Sequence, residues 1–214
     1  MTPSAVLFDC DGVVVDSEGQ TFALLGTELA GYGLHLTRAQ MEQLFLGGTI
    51  HGVYLAARAL GADLPAGWVA DFYEKIYADL ALGTNLIDGI EAVLDALDAS
   101  GVPYAIGSNG SEAKMAVTLG QHPQLLARFG GHVYSGQSLG KPKPAPDLYL
   151  YAAAQLGADP ARAVVIEDSP NGAMAARAAG MRCLGYAPHG NAALAAVGAD
   201  LFSDMKDLAA LLRL

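Results

Sequence analysis

Cysteine is scarce. The 214 residues hold two, Cys10 and Cys183, both in apolar, strand-like stretches. That excludes a disulfide framework, and two thiols alone cannot close a zinc site. Positive charge is also thin: 12 Lys and Arg stand against 22 Asp and Glu, a net charge of −10. Nucleic-acid binding requires a basic footprint, and none is present. The acidic balance favours solubility and identifies no partner. No uninterrupted apolar stretch approaches the roughly 20 residues that span a bilayer, so no membrane segment is expected. The opening Met1-Thr2-Pro3-Ser4 carries neither a basic region nor a long apolar run. No signal peptide is therefore expected, and the cytoplasm is the expected compartment. Charged residues make up only 16% of the chain and apolar ones 52%, which suits a packed core rather than disorder.

Short apolar runs recur along the chain: Ala5-Val6-Leu7-Phe8, Val102 to Gly107, Val133-Tyr134, Ala163 to Ile166, Cys183 to Tyr186 and Leu201-Phe202. Helical patterns separate them. Ile90, Val93, Leu94 and Leu97 share one helical face, and Gly101 is placed to end that helix. Strand–helix alternation predicts an α/β fold, a doubly wound parallel sheet with helices on both faces. One block breaks the rhythm. Between Ser17 and Thr84 no strand is legible, and four amphipathic helices are expected near Phe22–Ala30, Thr37–Leu46, Thr49–Leu60 and Trp68–Leu82. This predicts a small α-helical domain over 17–84 inserted into a core formed by 1–16 and 85–214. The sheet is expected to resume at about Asn85.

In open α/β sheets the functional crevice lies at the carboxyl ends of the strands. There the sequence puts Asp9, Asp11 and Gly12, then Ser108 and Asn109, then Glu167, Asp168 and Ser169. Lys141 and Lys143 precede the helix that starts near Pro146. Four carboxylates in one crevice repel one another unless a divalent cation neutralises them, and an oxygen-rich set suits Mg²⁺. A lysine, Ser108 and free backbone N–H groups of the Asp11-Gly12 turn would hold phosphate oxygens. The set fits phosphoryl transfer. One carboxylate of Asp9-x-Asp11 would attack phosphorus, and the other would move a proton at the leaving-group oxygen.

Asp9-Cys10-Asp11-Gly12-Val13, Ser108, Lys143 in Lys-Pro-Ala-Pro-Asp, and Glu167-Asp168-Ser169 stand in an order that resembles the haloacid dehalogenase (HAD) superfamily, in its phosphatase and phosphomutase branch. The resemblance implies a Rossmann-like HAD core with a helical cap. It implies Asp9 as nucleophile, Asp11 as general acid/base, and Ser108 and Lys143 as phosphate ligands. Mg²⁺ would be held by Asp9, the Asp11 carbonyl and Asp168, with Glu167 as ligand or support. Asp16-Ser17-Glu18 matches the hinge into the cap, and Ser108-Asn109-Gly110 with Lys114-Met115 looks like the family's sugar-phosphate phosphatases. The sugar phosphomutases carry a cap histidine where this chain has Thr21. They also carry an arginine where it has Gly47-Gly48-Thr49-Ile50-His51.

The expected function is a Mg²⁺-dependent phosphatase acting on a small phosphorylated metabolite, a sugar phosphate first, as a monomer or dimer. The alternatives are a β-phosphoglucomutase-like isomerase and a non-catalytic phospho-aspartate receiver. Within the cap, His51 is the expected substrate contact, and Asn109 either orients substrate or shapes its loop. His122, His132 and His189 and the tyrosines are expected to be structural.

Overall fold

The computed structural model describes residues 2–214. Its elements run β1 (Val6–Phe8), β2 (Val15–Asp16), α1 (Glu18–Gly31), α2 (Arg38–Phe45), α3 (Ile50–Ala59), α4 (Trp68–Leu80), β3 (Asn85–Leu86) and α5 (Ile90–Ser100). They continue through β4 (Tyr104–Ser108), α6 (Glu112–Leu119), α7 (Pro123–Arg128), β5 (Val133–Ser135), α8 (Asp147–Gln155), β6 (Val164–Glu167), α9 (Pro170–Ala178), β7 (Arg182–Tyr186), α10 (Ala192–Ala196), β8 (Asp200–Phe202) and α11 (Leu208–Leu212).

Six strands form one parallel sheet in the order β5-β4-β1-β6-β7-β8. The chain winds outward from β1 through β4 and β5, then crosses back to β6 and winds the other way. The reversal falls between the neighbours β1 and β6, where such sheets open a crevice. The strands are apolar on both faces because both faces are covered. Val6 and Phe8 pack with Ile106, Ile166 and the α5 side chains Val93, Leu94 and Leu97. Leu7 points the other way, into a cluster with Val165, Tyr149 of α8 and Ala173 and Ala176 of α9.

Helices α1–α4 bury a third, separate cluster built on Phe22, Leu25, Phe45, Trp68, Phe72 and Ile76. Trp68, Phe72, Ile76 and Leu80 repeat every four residues along α4, so one face carries the load, each side chain worth roughly 1.5–3 kcal/mol. Thr37 caps α2 in a reciprocal capping box with Gln40, and the Thr49 hydroxyl accepts from the Gly52 N–H at the start of α3.

One sequence expectation fails here. The main sheet does not resume at Asn85. Asn85–Leu86 pairs antiparallel with Val15–Asp16 in a separate two-stranded ribbon, and the main sheet continues only at Tyr104. Two-residue strands leave no periodicity to read. This ribbon brings the two connections between the helical block and the sheet side by side.

Candidate active site

The carboxyl ends of β1, β4 and β6 meet at the switch point, and the α1–α4 block stands over them. The cavity between them is lined by Asp9, Asp11, Ser108, Asn109, Lys143 and Asp168 from the sheet side. The residues singled out by sequence therefore converge, with exceptions given below.

Lys143 is the centre of the charge network. Its side chain is 2% exposed, and Nζ donates to Asp9 Oδ1 at 2.5 Å and to Glu167 Oε1 at 2.6 Å. Burial alone would lower its pKa, but the two carboxylates outweigh that and raise it, so it is charged. Lys141, by contrast, is exposed, 4.0 Å from Asp147. Asn109 builds the loop that aims Lys143. Its Oδ1 accepts from the Lys143 N–H at 2.7 Å, and its Nδ2 donates to the Lys143 carbonyl and to the Gly47 carbonyl of the helical block. The amide is thus committed to loop shape, and positions Lys143 rather than a ligand.

Glu167 is fully buried and saturated. Oε1 accepts from Lys143 and from the Tyr149 hydroxyl at 2.9 Å, and Oε2 accepts from the Asp168 N–H, the Ser169 N–H and the Ser169 hydroxyl. Burial pushes its pKa up, but Lys143 and these donors hold it below the usual carboxylate range. Tyr149 packs in the core, as expected, and the fold gives its hydroxyl this polar task as well.

Asp9 and Asp168 are different. Burial, with Glu167 and Asp11 nearby, pushes Asp9 up to about 7 despite Lys143. Burial, Glu18 and Glu167 push Asp168 well up, and no donor among the described residues reaches its carboxylate. One oxygen each from Asp9, Glu167 and Asp168 lies within 4.8 Å of the others. Open, destabilised carboxylate oxygens at that spacing fit an oxygen-seeking divalent cation. Asp9 and Asp168 carry the open oxygens, while the Glu167 oxygens are already taken.

Asp11 turns its carboxylate elsewhere. Oδ1 accepts from the Ser17 hydroxyl and, at 2.7 Å, from Lys114 Nζ. Burial would raise its pKa, but Lys114 and Ser17 hold it down. Lys114 is the residue that sequence reasoning undervalued. Its position in the first turn of α6 follows from Ser111, whose hydroxyl caps that helix by accepting from the Lys114 N–H. Ser108 is buried, its oxygen accepts from the Gly110 N–H, and its hydroxyl proton is left for the cavity.

Two expected contacts are corrected. The Gly12 N–H is not free for phosphate, because it donates to the Val15 carbonyl at 2.8 Å. Gly12 instead provides clearance: φ is +77° and a Cβ there would meet Asp168 Oδ2 at 2.1 Å. His51 does not line the cavity. It is exposed, on the outer side of α3 against Tyr54, whereas its neighbours Thr49 and Ile50 face inward. Thr21 does line the cavity, and its hydroxyl donates back to the Ser17 carbonyl. His122 and His132 make local bonds to Thr84 and Tyr134 away from the site.

The helical block is tied to the sheet side by polar contacts around the cavity. The Tyr73 hydroxyl pairs with Gln137, the Tyr77 hydroxyl with Ser111, and Asn109 with Gly47. The Gly47 backbone approaches so closely that a Cβ would lie 2.4 Å from Ser169 Oγ, at φ +69°.

A parallel sheet with this carboxylate–lysine crevice at its switch point, under a helical block, has the class features of a Rossmann-like hydrolase. The family model of haloacid dehalogenase-like hydrolases matches residues 3–180, and the chain belongs to that family. A phosphoglycolate phosphatase of Xylella fastidiosa is 31% identical over 195 residues, covering 87% of this chain and 83% of that one. A conserved haloacid dehalogenase-like protein of Agrobacterium tumefaciens superposes with a TM-score of 0.84 at 32% identity, covering 98% and 97% of the two chains. A HAD family hydrolase of Deinococcus radiodurans, solved with bound phosphate and sodium, gives 0.77 at 38% identity, covering 99% and 96%.

Proposed function

We propose that the chain is a Mg²⁺-dependent phosphatase that hydrolyses a small phosphorylated metabolite, a sugar phosphate first, through an aspartyl-phosphate. The observation that carries this is Asp9, an open carboxylate aimed into the crevice by β1, paired with a buried lysine and facing the unneutralised Asp168.

Lys143 and Ser108 would hold the phosphoryl oxygens, and Lys143 keeps Asp9 oriented. Asp9 Oδ2 attacks phosphorus, and the ester oxygen leaves in line. Asp11 would carry a proton to that oxygen and later take one from the hydrolytic water. Ser17 and Lys114 fix its orientation. Asp9, Asp168 and the Asp11 carbonyl would hold Mg²⁺, which supplies neutralisation of phosphoryl charge. The cytoplasm is its proposed compartment, and no helix of the described residues is long and apolar enough to cross a membrane.

A sugar-phosphate isomerase must grip a second phosphate after the first transfer. No histidine or arginine lines this cavity among the described residues, which favours the hydrolase. A receiver module has no use for a helical block over its acidic crevice.

Phosphate release from a panel of monoesters tests the proposal. EDTA should stop release and added Mg²⁺ restore it; release unaffected by chelation would count against the metal. The acid side predicts a pH-dependent stabilisation. Asp9 is raised above its unfolded value, so its ionisation weakens the metal-free fold progressively from about pH 4 through about pH 7. The thermal shift on adding Mg²⁺ should therefore be larger at pH 8 than at pH 5.

Gly47→Ala should hold the helical block off Ser169. KM for the best ester should rise several-fold in steady-state assays, and the melting temperature should fall as well, because an alanine at positive φ is strained. An unchanged KM would show that this contact does not govern closure.

A further inference from the structure

The helical block carries three cations, Arg38, Arg58 and Lys75, and none of them faces the cavity. Arg38 pairs with Glu42 on its own helix at 2.5 Å and lies over the Phe22 ring. Arg58 donates to the Tyr54 hydroxyl, and Lys75 pairs with Glu28 at 2.7 Å. What this block presents to the leaving-group side is chiefly apolar, including Phe22, Leu25, Phe45, Ile50, Val53 and Ile76. Its one ionisable acid there is Glu18, a further negative group.

Among the described residues only two cations line the cavity, Lys143 and Lys114, and both come from the sheet side. Lys143 is already shared by Asp9 and Glu167, and Lys114 is paired with Asp11. A transferring phosphoryl group uses the first. A second anion on the substrate would enter a low-dielectric pocket against an apolar wall, beside Glu18 and Asp11, with no free positive partner.

We propose that the physiological substrate is a phosphate monoester whose leaving alcohol carries no second anionic group, the apolar wall of the helical block selecting for an uncharged leaving group. This rests on the phosphatase proposal above and narrows it. It also separates this chain from its Xylella relative, since phosphoglycolate bears a carboxylate on its leaving group.

A matched pair of esters tests the inference on the intact chain with saturating Mg²⁺. 2-Hydroxyethyl phosphate and phosphoglycolate have the same heavy-atom chain length and differ in a hydroxymethyl against a carboxylate. The neutral ester is expected to have the higher kcat/KM by about tenfold to a hundredfold. Ile50→Arg places a cation on the inward side of α3 and should shrink or reverse that ratio, read from the same two assays. Hydrolysis of both esters with phosphoglycolate equal or preferred in the unmodified chain overturns the inference and leaves the phosphatase proposal standing. Absence of phosphate release from these and from every ester of a broad panel overturns the phosphatase proposal, and the inference with it. The unmodified chain decides the matter even where Ile50→Arg fails to fold.

Discussion

Asp9→Asn is expected to lower phosphate release by about four to six orders of magnitude, the scale on which loss of a covalent nucleophile acts. The amide nitrogen has no lone pair available to phosphorus, so the first half-reaction has no acceptor. The same change should leave the fold intact or strengthen it. Asp9 is buried and its pKa stands near 7, so above that pH the metal-free protein carries an ionised carboxylate that Lys143, also claimed by Glu167, does not fully compensate. The sign follows from linkage: an acid whose folded pKa is raised loses stabilisation as pH climbs from its unfolded value through the folded one. The asparagine side chain removes that burden. Melting in EDTA at pH 8 should therefore be no lower for Asp9→Asn than for the unmodified chain, and the Mg²⁺-induced shift should be smaller. Turnover within tenfold of normal would place the nucleophile elsewhere.

The sheet was legible because its strands are buried on both faces and read as continuous apolar runs, and the core helices because Ile90, Val93, Leu94 and Leu97 keep a 3.6-residue period. The charged residues at the strand ends were legible because chain order alone places them at one edge. What escaped was set by tertiary distance. Lys114 lies 103 residues from Asp11, and only folding brings them to 2.7 Å. Tyr149 looks like any apolar helix residue until Glu167, 18 residues on, is seen against its hydroxyl. His51 failed for the opposite reason. Its neighbourhood, Gly47 to Ile50, does reach the cavity, but one step along a helix rotates a side chain by about 100° and carries it to the outside. Gly12 was misassigned because a turn's N–H groups look free in sequence, whereas here the turn closes on Val15. The expectation at Asn85 erred because two residues are too few to distinguish a strand of the main sheet from a strand of a separate ribbon.

Lys143→Met tests whether one buried cation holds both the fold and the chemistry. Its removal leaves Asp9 and Glu167 facing each other, each buried, with no positive charge between them. Breaking such a pair costs roughly 3–5 kcal/mol, because the carboxylate left behind stays desolvated. The pH window follows from Glu167, whose folded pKa is held below the usual carboxylate range by Lys143 and its hydrogen-bond donors. A depressed acid contributes stability that is present above its unfolded pKa and is lost as pH falls through the folded value. The deficit of Lys143→Met should therefore be full at pH 7 and narrow as pH falls towards 4, where the variant's carboxylates protonate. Denaturant melts at several pH values measure this, and a deficit independent of pH would mean that packing against Tyr149, 4.8 Å from the ammonium, dominates instead. Catalysis should fall as well, by about a hundredfold to a thousandfold in kcat/KM, the usual effect of deleting one preorganised donor to a transferring group. The double change Lys143→Met with Glu167→Gln separates the two roles. Replacing the second charge should recover much of the stability, since no anion is then left opposite Asp9, yet phosphate release should stay as low as in the single variant. Recovery of both together would make Lys143 a structural residue only.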